Sequence, residues 1–229
     1  MRVDAERLDD EQIQSDVIVI GAGPAGITTC LELARHGHEV ALIESGGRNF
    51  SAQIQRLSDA ASYDEVRHAP MQECSRRQLG GASVIWGGRC VPYDPIDFET
   101  RPHIPFADWP LGYEDIHAYF ERACDYFRCG RPQFNLHQID GVLQKSIVPG
   151  LADSDVLTSD LERWSLPTHF GREYADELDR DPRIRVFAGL TCTEIDVDES
   201  GTRVVGLRCS TSTRHKTLQV KGRVYVVAC

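Results

Sequence analysis

The stretch that decides the fold is DVIVIGAGPAGITTCLELARHGHEVALIES, residues 16–45. Asp16–Ile20 is a short β-branched run and predicts a strand. Pro24–Arg35 repeats apolar residues at helical spacing, and Gly37 follows as a helix-ending residue. Glu39–Ile43 predicts a second strand. Strand, glycine turn, helix and strand make a βαβ unit, in which the two strands are parallel and the crossover is right-handed.

The turn of this unit carries the spacing Gly21-x-Gly23-x-x-Gly26. Gly21 permits a tight turn, Gly23 lets the backbone approach a pyrophosphate, and Gly26 lets the helix pack closely on the strand. Glu44 ends the second strand, where a carboxylate hydrogen-bonds a ribose diol. A glycine turn that binds nothing is the less favoured alternative. The dinucleotide contacts predicted in this segment are Gly21, Ala22, Gly23, Pro24, Ala25, Gly26, Glu44 and Ser45.

The bulk composition excludes several classes of protein. The chain has 229 residues and a formal net charge of −10, which argues against nucleic acid as a partner because phosphate binding needs a basic face. We expect no membrane span, since no apolar run approaches the roughly 20 residues that cross a bilayer. The acidic, polar N-terminus resembles neither a signal nor a transit peptide, so a cytoplasmic location is expected.

The titratable side chains outside the glycine turn form no convincing site. The eight cysteines match no zinc spacing, so we expect reduced structural thiols and no metal. The acids of residues 94–99 are interpreted as a solvated loop, and the eight histidines as surface or loop residues. Arg76 and Arg77 are able to hold a phosphate, but a surface pair is the favoured interpretation.

The C-terminal part of the chain predicts a helix followed by several strands. The helix covers Gly171–Asp179 and ends before Pro182, which cannot continue it. A meander of short strands follows, and the apolar run near the end predicts a strand that returns to the parallel sheet. The predicted strands are Ile184–Phe187, Cys192–Val197, Val204–Cys209, Thr217–Val220 and Arg223–Ala228.

Residues 16–47 and this strand pattern resemble the FAD-binding unit of glutathione-reductase-type flavoproteins. Pro24 within GxGPAG and the Gly46-Gly47 pair after the acid carry the resemblance, together with the meander. The resemblance implies an α/β fold: a Rossmann-like FAD-binding domain with a parallel sheet and an antiparallel meander. A nicotinamide-dependent reductase is the alternative, which the meander disfavours.

Two further segments resemble the glucose–methanol–choline (GMC) oxidoreductases: QLGGASVIWGGRCVPYDPIDFE at residues 78–99 and DWPLGYEDIHAYFERA at residues 108–123. The resemblance implies FAD as cofactor, a small alcohol or sugar as substrate, and hydride transfer from CH–OH to the flavin. Ile85 stands where some relatives carry a flavin-linked histidine, so the FAD is expected to be non-covalent. The implied cofactor contacts are Gly80, Gly81, Ser83, Trp86 and Gly87, with Cys192 and Thr193 near the adenine.

The resemblance also implies how the chain is divided. Residues 1–95 are expected to begin the FAD-binding domain, with a tail to about residue 14. Residues 96–165 form a substrate-domain segment, and residues 166–229 return to the FAD-binding domain. No residue matches the family's catalytic His pair or His/Asn, which is expected beyond Cys229. We therefore expect only the cofactor-binding half of an enzyme; the alternative is a non-catalytic truncated or split chain whose second polypeptide supplies the rest.

Overall fold

The computed structural model of the protein describes residues 2–8, 12–105, 107–142, 146–148, 158–214 and 216–229. Contacts divide the chain into two compact units. The first unit, here the nucleotide unit, comprises Met1–Trp86 and His169–Cys229, and the second, here the inserted unit, comprises Gly87–Thr168. The prediction for His215 lies outside the described residues.

The described elements are short outside the central βαβ segment. The strands are β1 Arg2–Asp4, β2 Gln12–Ile20, β3 Val40–Glu44, β4 Arg89–Cys90, β5 Arg163–Trp164, β6 Ile184–Ala188, β7 Leu190–Val197, β8 Val204–Thr211 and β9 Thr217–Val227. The α-helices are α1 Pro24–Arg35, α2 Ala52–Gln55, α3 Met71–Cys74, α4 Tyr113–His117, α5 Phe120–Phe127, α6 Phe170–Glu173 and α7 Ala175–Arg180. None of the helices within the described ranges is long and apolar enough to cross a bilayer.

The nucleotide unit is built on a seven-stranded sheet in the order β1-β6-β3-β2-β9-β8-β7. The strands from β1 through β9 in that order pair in parallel, whereas β9, β8 and β7 pair antiparallel as a meander. This mixed α/β architecture confirms the predicted Rossmann-like fold. All five residues of β3 are buried, as expected for a central parallel strand covered on both faces.

Helix α1 has the predicted bounds and packs its apolar face inward. Proline opens it, which suits a helix start because proline's missing N–H has no intrahelical partner there. The helix residues buried in the core are Gly26, Ile27, Cys30, Leu31 and Ala34.

The N-terminal segment differs from the prediction of a tail to about residue 14. Arg2–Asp4 pairs in parallel with β6, and β2 begins at Gln12 rather than at Asp16. Buried and exposed residues alternate over the first residues of β2, where Ile13 and Ser15 are buried and Gln12 and Gln14 are exposed. This period-two pattern is the signature of a strand.

The last strand was predicted wrongly as two separate strands. Strand β9 runs without interruption from Thr217 to Val227; its residues 217–220 pair with β8 and its residues 219–227 pair with β2. Gly222 lets β9 lie close to the Ile18 side chain of β2, because a Cβ there would be 2.6 Å from Ile18 Cγ1. The strand therefore joins the meander to the parallel sheet.

The inserted unit has little regular structure in its described part. Strands β4 and β5 pair antiparallel, and Ser165 N donates to the Gly88 carbonyl oxygen at 2.8 Å. The helix predicted from Tyr113 is divided into α4 and α5. Cys124 and Tyr126 are the buried residues of α5.

Candidate dinucleotide site

A cleft of about 760 Å³ lies in the nucleotide unit at the carboxyl ends of β2, β3 and β9. Ligands of open parallel sheets bind at this edge, and the volume is within the range of small-molecule and cofactor sites. The predicted residues that line it are Gly21, Ala22, Gly23, Pro24, Ala25, Glu44, Ser45 and Gly81.

Two glycines of the fingerprint are required by the backbone itself. Gly21 has φ +98°, a left-handed conformation that favours glycine. Its N–H donates to the Ile43 carbonyl oxygen at 2.8 Å, which ties the turn to β3. A Cβ on Gly26 would lie 1.9 Å from the Gly21 carbonyl oxygen, so a side chain there would displace the helix from the turn.

Glu44 is buried, and its carboxylate holds two loops together. Its Oε2 accepts from Ala22 N at 2.9 Å, and its Oε1 accepts from Gly46 N at 2.7 Å. Burial raises the pKa of Glu44 above its ordinary range, opposed by these two backbone hydrogen bonds and by the charge of Arg77. Each carboxylate oxygen has a further lone pair with which to accept from a ribose hydroxyl.

The Gly80-Gly81 loop packs on the fingerprint turn. A Cβ on Gly81 would lie 2.7 Å from Gly23 Cα, and Gly80 N donates to the Ala22 carbonyl oxygen at 2.8 Å. Ser83 is buried in this loop, where its hydroxyl donates to the Gly80 carbonyl oxygen and accepts from Phe170 N at 3.1 Å. Ser83 therefore fixes the loop to α6, and it is not among the described residues that line the cleft.

The arginine pair that precedes this loop lines the cleft and is half-buried, so its interpretation as a surface pair was wrong. Arg77 donates to Ser58 Oγ at 2.9 Å and to Ser45 Oγ at 3.1 Å. Arg76 lies over the Phe50 ring at 4.8 Å, and its Nε is buried without a hydrogen-bond partner. The sequence signal was a basic pair two residues before the Gly80-Gly81 pair, the type of charge that pairs with phosphates.

Six predicted contacts lie outside the described lining of the cleft: Gly26, Gly80, Ser83, Trp86, Gly87 and Thr193. Thr193 is exposed, and its hydroxyl donates to the Arg208 carbonyl oxygen at 3.0 Å. Cys192, beside it, does line the cleft. Trp86 ends the first segment of the nucleotide unit, and Gly87 begins the inserted unit.

His169 is a half-buried residue that the sequence did not single out. Its ring packs against Gly80, whose ideal Cβ would lie 3.0 Å from the ring Cε1. Both ring nitrogens are buried without a hydrogen-bond partner. Burial lowers the pKa of His169, and the nearby charge of Arg172 lowers it further. The imidazole is therefore held neutral beneath the glycine loop; His169 is a loop residue, as predicted, but it is half-buried rather than on the surface.

This neutral imidazole predicts a pH dependence of stability. As the pH falls through about 6.5, the unfolded chain protonates this histidine before the folded chain does. The free energy of unfolding should therefore decrease between pH 7 and pH 5, and His169→Gln should lose less over that range. Urea unfolding at both pH values measures this. His38→Gln, at an exposed histidine, serves as control; equal losses in both variants and the wild type would contradict the prediction.

The comparisons with known proteins agree with this geometry. Residues 15–95 match the family described as Pyridine nucleotide-disulphide oxidoreductase. The chain is 28% identical over 131 residues to 2-methyl-1,2-propanediol dehydrogenase of Mycolicibacterium austroafricanum, covering 47% of this chain and 23% of that protein. It is 24% identical to 6'''-hydroxyparomomycin C oxidase of Streptomyces lividus, covering 93% of this chain and 48% of that protein.

A solved structure shares the fold. The crystal structure of pyridoxine 4-oxidase from Mesorbium loti aligns with a TM-score of 0.50 at 15% sequence identity, over 93% of this chain and 49% of that one. The chain thus spans about half the length of that structure and of the Streptomyces relative. Residues 15–95 thus match an FAD/NAD-binding oxidoreductase domain, and oxidases and dehydrogenases are among the relatives of the chain.

Proposed function

We propose that this chain supplies the FAD-binding part of a GMC-type oxidoreductase that oxidises a CH–OH group. The observation that carries the proposal is the cleft itself, in which the fingerprint turn, the buried Glu44 and the Gly81 loop meet within one unit. A Rossmann-type fingerprint with an acid at the end of the next strand is the arrangement that binds a dinucleotide.

The residues of the cleft fit the parts of FAD. The start of α1 presents N–H groups and the positive end of the helix dipole, which favour a pyrophosphate. Arg76 and Arg77 add positive charge to the same cleft, and Glu44 offers acceptors for a ribose diol. The meander and the Gly80-Gly81 loop favour FAD over a nicotinamide dinucleotide, by the resemblance described above.

The proposed substrate is a small alcohol, diol or sugar. Its support is the GMC resemblance of residues 78–123 and the names of two relatives, a propanediol dehydrogenase and a hydroxyparomomycin oxidase. Bound FAD would accept the hydride from the alcohol carbon. This chain's own residues bind and orient the cofactor through the glycine turns and Glu44.

The proton-accepting base is proposed to lie outside these 229 residues. Oxidation of an alcohol needs a base that takes the hydroxyl proton as the hydride leaves. His169 is unsuited to this task because its ring packs beneath Gly80, outside the lining of the cleft. We propose that the same polypeptide or a second one provides the base and most of the substrate domain.

The flavin is predicted to be bound without a covalent link, because Ile85 offers no nucleophilic atom at the expected attachment position. The purified protein should be yellow and should release free FAD into the supernatant on heat denaturation. Absorbance at 450 nm of the supernatant and the pellet measures the partition. A yellow pellet after denaturation would contradict the non-covalent assignment.

The proposed activity is tested by anaerobic reduction of the flavin. The FAD-loaded complete protein, with any second polypeptide present, is mixed with alcohols, diols and sugars while absorbance at 450 nm is followed. Bleaching by a CH–OH compound is the expected result. Bleaching by NADH with no response to any alcohol would favour the nicotinamide-dependent reductase instead.

A further inference from the structure

Two cysteines of the meander face each other across neighbouring strands. Cys192 on β7 and Cys209 on β8 are direct partners in the antiparallel register, so their side chains lie on the same face of the sheet. Directly opposed residues of antiparallel strands have Cα atoms about 4.5–5.5 Å apart, within the range that a disulfide spans. Both thiols are reduced in the structure.

The two thiols have different environments. Cys209 is fully buried in the core, whereas Cys192 is half-buried and lines the dinucleotide cleft. A hydrogen bond from Cys209 lowers the pKa of Cys192 to about 7, against an opposing contribution from burial. The same hydrogen bond, together with burial, raises the pKa of Cys209. Cys192 is therefore the more accessible and more readily ionised thiol, and Cys209 is the buried thiol opposite it.

The other cysteines do not combine a position in the cleft with a second cysteine directly opposite on a neighbouring strand. In the inserted unit, burial raises the pKa of Cys90 to about 11 and that of Cys124 to about 12. Exposed Cys74 lines the same cleft, and its Sγ contacts the Ala69 carbonyl oxygen and the Met71 Sδ.

We propose that Cys192 and Cys209 form a redox-active pair, in which a hydroperoxide oxidises Cys192 and Cys209 resolves the product to a disulfide. The Cys192 thiolate attacks one peroxide oxygen, so that an S–O bond forms and the O–O bond breaks, releasing an alcohol or water. The Cys209 thiol then attacks the sulfenic sulfur, and its proton leaves with the hydroxide as water. Two thiols lose two electrons in total, and the peroxide gains them.

The position of Cys192 couples this chemistry to the cleft. A dinucleotide in the cleft would shield Cys192 from peroxide, and a disulfide would remove the thiol from the cleft wall. This coupling rests on the proposed function, whereas formation of the disulfide does not.

Peptide mapping after treatment with hydrogen peroxide tests the pair. The wild-type protein should yield a linked Cys192–Cys209 peptide that a reductant separates. Cys209→Ala should accumulate Cys192 sulfenic acid that dimedone traps, and Cys192→Ser should abolish the link. Cys74→Ser is the matched control from the same cleft and should form the link as the wild type does. A wild-type map without the linked peptide would overturn the proposal. This result comes from the wild-type protein alone, so it does not depend on whether the variants fold.

The rate of alkylation tests the reactivity of Cys192 separately. About half of a thiol with a pKa near 7 is ionised at pH 7, against roughly 3% for an ordinary thiol. The lower intrinsic nucleophilicity of the thiolate offsets part of this gain, so Cys192 should react with iodoacetamide about threefold faster than the cysteine of a short unstructured peptide. A slower reaction would contradict the assignment of Cys192 as the attacking thiol.

The shielding of Cys192 by a bound dinucleotide is tested by repeating the alkylation with saturating FAD, while binding is followed through flavin fluorescence. Protection of Cys192 by at least tenfold is expected, with no protection of Cys90. Binding without protection would overturn the coupling alone. Absence of binding would overturn the proposed function, while the disulfide result would stand on its own.

Discussion

Gly23→Ala is expected to fold like the wild type and to bind FAD at least ~100-fold more weakly, a loss of about 2.7 kcal/mol. The backbone tolerates the substitution, since Gly23 has φ −77° and the nearest heavy atom to an added Cβ is Gly81 Cα at 3.9 Å. The new methyl group would instead occupy the place where backbone must approach the pyrophosphate. Thermal unfolding of the apoprotein and a fluorescence titration with FAD measure the two effects separately.

Two neighbouring glycines provide matched controls for Gly23→Ala. Gly26→Ala should destabilise the fold itself by about 3 kcal/mol, because its Cβ would lie 1.9 Å from the Gly21 carbonyl oxygen. Gly47→Ala should change neither stability nor binding, since its Cβ would meet nothing within 4 Å. Wild-type FAD affinity in Gly23→Ala would contradict the placement of the pyrophosphate at this turn.

Glu44→Ala should reduce both stability and FAD binding. The substitution leaves the N–H groups of Ala22 and Gly46 without their carboxylate acceptor, and each unpaired buried donor costs about 1–3 kcal/mol. FAD binding should weaken about 100-fold or more, because the ribose acceptor is lost and the two loops separate. Glu44→Gln should lose less stability and FAD affinity than Glu44→Ala but should not match the wild type, because its amide has a single acceptor oxygen for two donors. Urea unfolding and FAD titration measure these effects.

The pH dependence of Glu44 has a definite sign. Its pKa is raised in the folded chain, so the folded state holds the proton more tightly than the unfolded state does. Protonation of Glu44 therefore stabilises the folded state. This contribution to the free energy of unfolding is fully present below the unfolded-state pKa of about 4.3, and it is lost as the pH rises through the folded-state pKa. The stability gap between the wild type and Glu44→Gln should therefore narrow as the pH rises. Glu39→Gln, at an exposed glutamate, should show no such change.

The central βαβ unit was predictable because its signals are local. The bounds of α1 and the glycine positions follow from spacing and turn chemistry within residues 16–45. The acid at Glu44 was equally readable, since it directly ends a β-branched run. What the sequence did not show is that its carboxylate bonds two backbone N–H groups, one of them 22 residues away.

The features that were missed depend on contacts between distant segments. Arg76 and Arg77 looked like a surface pair because only the fold brings residues 76–77 to the end of β3. The burial of His169 depends on its packing against Gly80, 89 positions earlier in the chain. Strand β9 was divided in the prediction at Lys221-Gly222, between two apolar runs, whereas pairing with β2 keeps the chain extended there.

A single titration tests the central claim, that this cleft binds FAD. The purified chain, stripped of any bound nucleotide, is titrated with FAD and separately with NAD⁺ and NADP⁺ by isothermal calorimetry. The account predicts one FAD bound per chain, with markedly weaker binding of both nicotinamide dinucleotides and loss of the FAD signal in Gly23→Ala. Tighter binding of NAD⁺ or NADP⁺ than of FAD, or binding of FAD that Gly23→Ala leaves unchanged, would contradict it.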